Sequence, residues 1–255
     1  MTTLVDVEQI RLANQGITAM AELELQDLWG TLNLSFPGES RDSLLAFVPA
    51  ITEKYGNMSA LVAADWYDDL RPTGTLITGA FRAPLASPVP ATAVASTVRF
   101  GASHLWSLAP ALTLALVSTA VTEYVLRPGR DTIAQATQED PSKPRWARVP
   151  SGKETCAFCL TMASRGFVYT SEHTAGRGNK YHGRCDCVPT PEWSDDPRIE
   201  GYAPAAMYEM YLEARREAGV TELTGSGTSG ADDLSILQAM RRLYPDQLTD
   251  GVKTS

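Results

Sequence analysis

LVDVEQIRLANQGITAMAELELQDLWGTL, residues 4–32, carries Val7, Ile10, Ile17, Met20, Leu28 and Leu32 at separations of three or four residues or multiples of these. A 3.6-residue period puts such positions on one stripe, so the segment is expected to be an amphipathic helix. Pro37 and Gly38 break it. Ser40 is the expected cap of a second helix through Leu44, Leu45, Val48 and Ile51. Asn57 or Ser59 then starts a third piece that ends before Arg71-Pro72-Thr73-Gly74. Residues 83–92, with prolines at 84, 88 and 90, read as a linker or irregular crossing.

Two apolar runs follow, at about 91–108 and 110–126, and no formal charge occurs from Phe100 to Thr122. That length would suffice for a membrane span. Gly101, Ser103, His104, Ser107, Pro110, Thr113, Ser118, Thr119 and Thr122 dilute it, however, and no Lys/Arg-rich flank follows. A buried core helix is the expectation, with no membrane partner. The helix should restart at Pro110, a favoured first position, run past Tyr124 and resume after Pro128-Gly129 towards Gln138.

The chain has 255 residues, which corresponds to one or two domains at about 150 residues each. Hydrophobic residues are 44% and charged residues 20%, a balance that supports a core and excludes wholesale disorder. The formal charge of −8 is wrong for a nucleic-acid coat. The first residues, MTTLVDVEQIR, have neither a basic nor an apolar leader region, so no signal peptide is expected. The charge is unevenly spread. Residues 141–190 hold eight Lys or Arg against Glu154, Glu172 and Asp186, a net +5 that leaves −13 on the rest.

Residues 139–153 are polar, carry three prolines and look like a domain boundary. A cysteine-bearing module occupies about 145–193, followed by the acidic link 194–204 and a helix from Ala205 to Ala218. TGSGTSG, residues 224–230, reads as a flexible tether. Behind it, Asp232 to Leu243 sets Leu234, Leu237, Met240 and Leu243 on one helical face. That stripe either docks on a partner or folds back on its own domain. No internal repeat is visible. The expected fold class is mainly α: a helical body (1–140), a small α+β zinc-binding module (141–200), and C-terminal helices with a docking helix (201–255).

All four cysteines lie between 156 and 187, with one of only three histidines among them. Cys156 and Cys159 form a C-x-x-C. His182 and Cys185 repeat the same three-position offset, with Gly183 easing the turn. Two such pairs supply the four N/S ligands that zinc prefers, at about 2.0–2.3 Å. The candidate set is Cys156, Cys159, His182 and Cys185, with Cys187 able to replace one of the last two. A thioredoxin-like dithiol would need a βαβ context, which the sequence lacks. Stable disulfides do not suit a chain without a secretion signal. A closed shell of protein ligands is structural, holding the fold rather than activating water. The module also has few apolar residues for its size, so a metal staple would compensate.

No H-E-x-x-H, G-x-S-x-G or G-x-x-x-x-G-K-[ST] motif is present. His173 lacks an identifiable nucleophile or orienting partner. His104 sits in an apolar run as an expected core histidine. The Asp pairs 68/69, 195/196 and 232/233 read as solvated faces or helix starts. The expectation is a protein that is not an enzyme.

The order of signals in the second half resembles a known family. Arg145-Trp146-Ala147-Arg148-Val149-Pro150 precedes Thr155-Cys156-Ala157-Phe158-Cys159. Then come Ala163-Ser164-Arg165-Gly166-Phe167-Val168-Tyr169 and Tyr181-His182-Gly183-Arg184-Cys185-Asp186-Cys187-Val188-Pro189. This is similar to the C-terminal module of phage Mu protein F-like minor head proteins, in the form found in tailed phages of actinobacteria. The resemblance covers about residues 128–193, and the helical first half by general character. Many members have proline after the histidine and arginine between the last two cysteines, where this chain has Gly183 and Asp186. The resemblance implies a minor capsid protein of the virion, acting in head morphogenesis inside the capsid near the portal, after assembly in the host cytoplasm. It implies the portal and the major capsid or scaffold proteins as partners, with ejection alongside the DNA as an option. Two other readings stand beside it. One is a zinc-dependent DNA-binding packaging or ejection protein, suggested by the +5 segment. The other is a capsid maturation protease, for which no catalytic dyad can be named here.

Overall fold

Thr3 begins the first helix, α1 (Leu4–Thr31), and caps it reciprocally with Asp6: each side chain accepts from the other residue's backbone N–H. The inward stripe of α1 is Val7, Ile10, Ile17, Ala21 and Leu25, while Met20 falls at its margin and is exposed. The computed structural model describes residues 2–72, 80–152, 155–169, 187–220 and 230–252, the side chains of 230–232 excepted.

Helix α2 (Pro37–Leu70) starts with proline in its first turn, and Ser40 is not its cap but donates its hydroxyl to the Asn33 carbonyl at 3.0 Å. The expected break near Asn57 or Ser59 does not occur, and α2 passes through Pro49 without ending. Helix α3 (Ala91–Ala102) passes into one 3-10 turn, Ser103–Trp106, and α4 (Leu112–Glu139) begins beyond Pro110. The pause expected at Pro128-Gly129 is also absent. The reason lies in the α2–α4 crossing. A Cβ on Gly129 would meet Ser59 Oγ at 2.4 Å, and one on Gly56 would meet Pro128 Cγ at 3.2 Å. The two helices approach backbone to backbone there, and packing along both offsets the hydrogen bond that Pro128 cannot donate.

Residues 80–90 cross irregularly between α2 and α3, as the prolines suggested. Asp68 pins that crossing, accepting from the Ala83 N–H at 3.0 Å and from Arg82 at 3.1 Å. A first core joins α1 to α4 through Leu25, Leu44, Tyr55, Val98, Val121 and Val125. Among the described residues no helix is long and apolar enough to cross a membrane. His104 lies half-buried in the 3-10 turn rather than in the core.

The second half adds β1 (Arg145–Pro150), α5 (Ala157–Ala163), β2 (Cys187–Glu192), α6 (Pro204–Glu217) and α7 (Gly230–Leu243). β1 and β2 pair antiparallel, with Arg148 opposite Pro189 and Pro150 opposite Cys187. One face of this pair, with Ala147, Val149 and Val188, joins Val7 and Ile10 of α1, Trp66 and Tyr67 of α2 and Ile133 of α4 in a second core. Sheet and helices therefore share one interior. Helix α7 takes the second of its two expected courses and folds back. Ile236, Ala239 and Met240 are buried with Ala157 and Leu160 of α5, Ala214 of α6 and Leu248. The expected stripe is displaced, leaving Leu234 exposed. Residues 221–229, which include all of the tether except Gly230, lie outside the described residues.

Candidate metal centre

Cys156 is the residue before α5, and its Sγ accepts from the Cys159 N–H at 3.3 Å, the local bond that a C-x-x-C at a helix start makes. Cys187 opens β2 on the sheet face opposite that of Val149 and Val188. The two strands bring it to Cys156 and Cys159, and the three form one buried cluster against Phe158. Among the described residues no disulfide joins them. His182, Cys185 and His173 lie outside the described residues. Three buried thiols supply the soft donors that zinc takes. Among the described residues, however, no three His, Cys, Asp or Glu side chains are arranged to hold an ion. The described residues thus gather three of the five candidates, Cys156, Cys159 and Cys187, and among them no metal shell is formed.

Arg148 is the unexpected neighbour. It is 0% exposed, projects on the same sheet face as Cys187, and carries its guanidinium over the Phe158 ring at 5.9 Å. Its burial takes it out of any surface that could meet phosphate. Of the other cations in the +5 segment, Lys143, Arg145 and Arg165 are exposed, and Lys153, Arg177, Lys180 and Arg184 lie outside the described residues.

The glycine-plus-aromatic stretch has a local cause. Gly166 adopts φ +66°, a left-handed conformation that turns the chain sharply after α5. Tyr169 is thereby laid along β1, where it exchanges backbone hydrogen bonds with Trp146 at 3.1 and 3.3 Å. Their rings lie 4.8 Å apart, and the Tyr169 hydroxyl donates to the Met162 carbonyl at 2.9 Å. Burial pushes the Tyr169 phenol up. It does the same to Tyr202, whose hydroxyl donates to the Ala163 carbonyl.

Both ends of the chain fasten the module. The Thr2 N–H donates to Glu192 at 2.8 Å and its hydroxyl to the Pro191 carbonyl at 2.9 Å. At the other end, Asp250 accepts from the Ala157 N–H at 2.9 Å and from Arg241 at 2.7 Å, and Thr249 N–H donates to Thr155 O. The module is not free-standing, so its own scarcity of apolar residues does not by itself call for a metal staple.

The residues that sequence reasoning missed sit at the joint. Asp140, at the end of α4, is fully buried. It accepts from Arg71 Nε at 2.8 Å and Nη2 at 3.0 Å, from Tyr67 at 3.1 Å, from Ser142 N–H at 2.9 Å and Oγ at 2.5 Å, and from Trp193 Nε1 at 3.3 Å. Burial alone would raise its carboxyl. The bonds from Arg71, Ser142 and Trp193 outweigh that and hold it well below the usual carboxylate range. Tyr67 is pushed far up by burial and then by the Asp140 charge. The one local hint was Asp-Pro-Ser after a helix, an ordinary turn signal that says nothing of Arg71 or Trp193. Behind β2, a cavity of about 320 Å³ between sheet and helices reaches Cys187, with Asn14 and Arg130 on its wall.

A family model described as VG15 protein matches residues 1–214. The Gene 15 protein of Mycobacterium phage D29 is 26% identical over an alignment of 165 positions, covering 52% of this chain and 60% of that protein. The Gene 15 protein of Mycobacterium phage L5 is 27% identical over 172 positions, covering 52% of this chain and 58% of that protein. The match therefore spans about three fifths of the length of each relative. No solved structure matches the chain.

Proposed function

The chain belongs to the VG15 protein family, and from that membership we propose that it is a phage minor capsid protein of the Mu F-like type, acting in head morphogenesis. The family match runs through the helical body and the cysteine module together, and the relatives quoted above are mycobacteriophage proteins. This agrees with the actinobacteriophage character of the motif order. In this reading the protein assembles in the host cytoplasm and resides inside the capsid near the portal. Its partners are the portal and the major capsid or scaffold proteins.

The module's role in this proposal is structural and not catalytic. The observation that carries it is the complete burial of Cys156, Cys159 and Cys187 beneath Phe158. Thiols so placed can hold a fold but offer no open position to a substrate. One zinc is assigned to the module, with Cys156, Cys159 and two of His182, Cys185 and Cys187 as its ligands. The ion would supply folding free energy by tying the segment around 182–187 to the start of α5.

Two measurements test this reading. Metal analysis of the purified protein should give about one zinc per chain, whereas near-zero metal with the thiols recovered as disulfides overturns the zinc assignment. Antibody or density localisation in virions should place the chain inside the head at the portal vertex. A location confined to the outer shell or the tail, or absence from heads at every stage of assembly, overturns the capsid role.

A further inference from the structure

The outward face of α1 repeats on a strict pattern. Val5, Gln9, Leu12, Gly16, Ala19, Leu23, Gln26 and Gly30 follow one another in alternating steps of four and three, and every one is exposed. Their spacing is that of the a and d positions of a heptad, the seam along which one helix receives another. None is charged, although α1 itself carries Asp6, Glu8, Arg11, Glu22, Glu24 and Asp27. The large apolar members are well out in solvent: Val5 is 76%, Leu12 54% and Leu23 60% exposed. This face lies opposite the buried stripe of Val7, Ile10, Ile17, Ala21 and Leu25, so the core of this chain makes no use of it.

Gly16 and Gly30 point the same way. A Cβ built on either meets nothing within 4 Å, so no close approach inside the chain accounts for glycine. Glycine is a poor helix former, and its place on an open seam is explained by a second backbone that comes close.

The flanks identify the partner. Beside the seam lie Glu8, Gln15, Glu22 and Trp29 on one edge and Asp6, Ala13, Met20 and Asp27 on the other. Four of these eight are acids and none is a cation. Glu8 is paired with Arg11, Asp6 serves the helix cap, and Glu22 accepts from Thr122 at 3.0 Å. Asp6, Glu22 and Asp27 have no cationic partner among the described residues. A second copy of α1 would bring the same acids against these, in a chain already at −8. We infer that the outward face of α1 is a docking surface for one helix of another protein, with an apolar seam and Lys or Arg on its flanks. The inference rests on α1 alone and is independent of the zinc and of the capsid assignment.

The test uses the full-length protein and two synthetic helical peptides of about four heptads. Both have leucine at the seam, one with lysine on its flanks and the other with glutamate. The Lys-flanked peptide should bind, more weakly as salt rises, and the Glu-flanked one should bind at least about tenfold more weakly. Leu12→Glu with Leu23→Glu should reduce binding by a similar factor while leaving the melting temperature and helix content unchanged, since both side chains are exposed. Glu22→Lys with Asp27→Lys should shift preference to the Glu-flanked peptide. Equal binding of the two peptides, no binding of the Lys-flanked one, or indifference to the leucine substitutions overturns the inference. So does sedimentation showing that the chain pairs with itself through this face.

Discussion

Asp140 takes six hydrogen bonds from Tyr67, Arg71, Ser142 and Trp193, so one carboxylate ties α2, the end of α4 and the segment after β2 together. Removing its charge strands Arg71, whose side chain is also largely buried. Breaking a buried pair on one side costs about 3–5 kcal/mol. Asp140→Asn should therefore lose at least about 3 kcal/mol in urea unfolding at pH 7. The pH dependence has a definite sign. The folded pKa lies below the unfolded value of about 3.9, so the contribution is complete above about pH 5 and fades as pH falls towards the folded pKa. The gap between wild type and Asp140→Asn should thus narrow below about pH 4, and a gap of equal size at pH 7 and pH 3 would refute this account. No sequence pattern announced the role of Asp140, because Trp193, Arg71 and Tyr67 lie 53, 69 and 73 positions away and only Ser142 is near in sequence. Cys156 and Cys159, three residues apart, were legible because their chemistry is local.

At the scale of elements, Pro128-Gly129 and the stretch at Asn57 to Ser59 were read as breaks and are helix interior. Proline and glycine do weaken an isolated helix, but the reading could not include the neighbour that rewards continuity. Gly129 is needed for the α2–α4 crossing, since a Cβ there would also lie 2.9 Å from the Ser59 carbonyl oxygen. Gly129→Ala should then destabilise by about 1–3 kcal/mol, although alanine is the better helix former. A melting temperature unchanged or raised would show that the crossing can relax. The C-terminal strap is a second element that only packing explains. Asp250 bonds both the first N–H of α5 and Arg241 of α7. Asp250→Ala should cost about 1–2 kcal/mol and speed hydrogen exchange at Ala157 and Cys159 more than in α1. Uniform acceleration across the chain would count against a local strap.

For the whole molecule, the shared core makes a specific claim about cooperativity. Val7, Ile10, Tyr67 and Ile133 pack with Ala147, Val149 and Val188, and Thr2 is bonded to β2. Scanning calorimetry should show body and sheet unfolding in one transition, and Cys159→Ser should lower that transition rather than split it. Two resolved transitions would mean that the sheet melts apart from the helices. By itself the sequence determined the helical class, the amphipathic character of α1, the irregular crossing near residues 83–90 and the clustering of thiols, because periodicity, proline and short spacings are local physics. The tertiary structure alone decided that α2 and α4 run unbroken, that α7 folds inward, that Arg148 is buried beside the thiols and that Asp140 is the joint. Each of these depends on which surfaces meet. A buried charge or a glycine at a crossing is favourable only once its distant partner is in place.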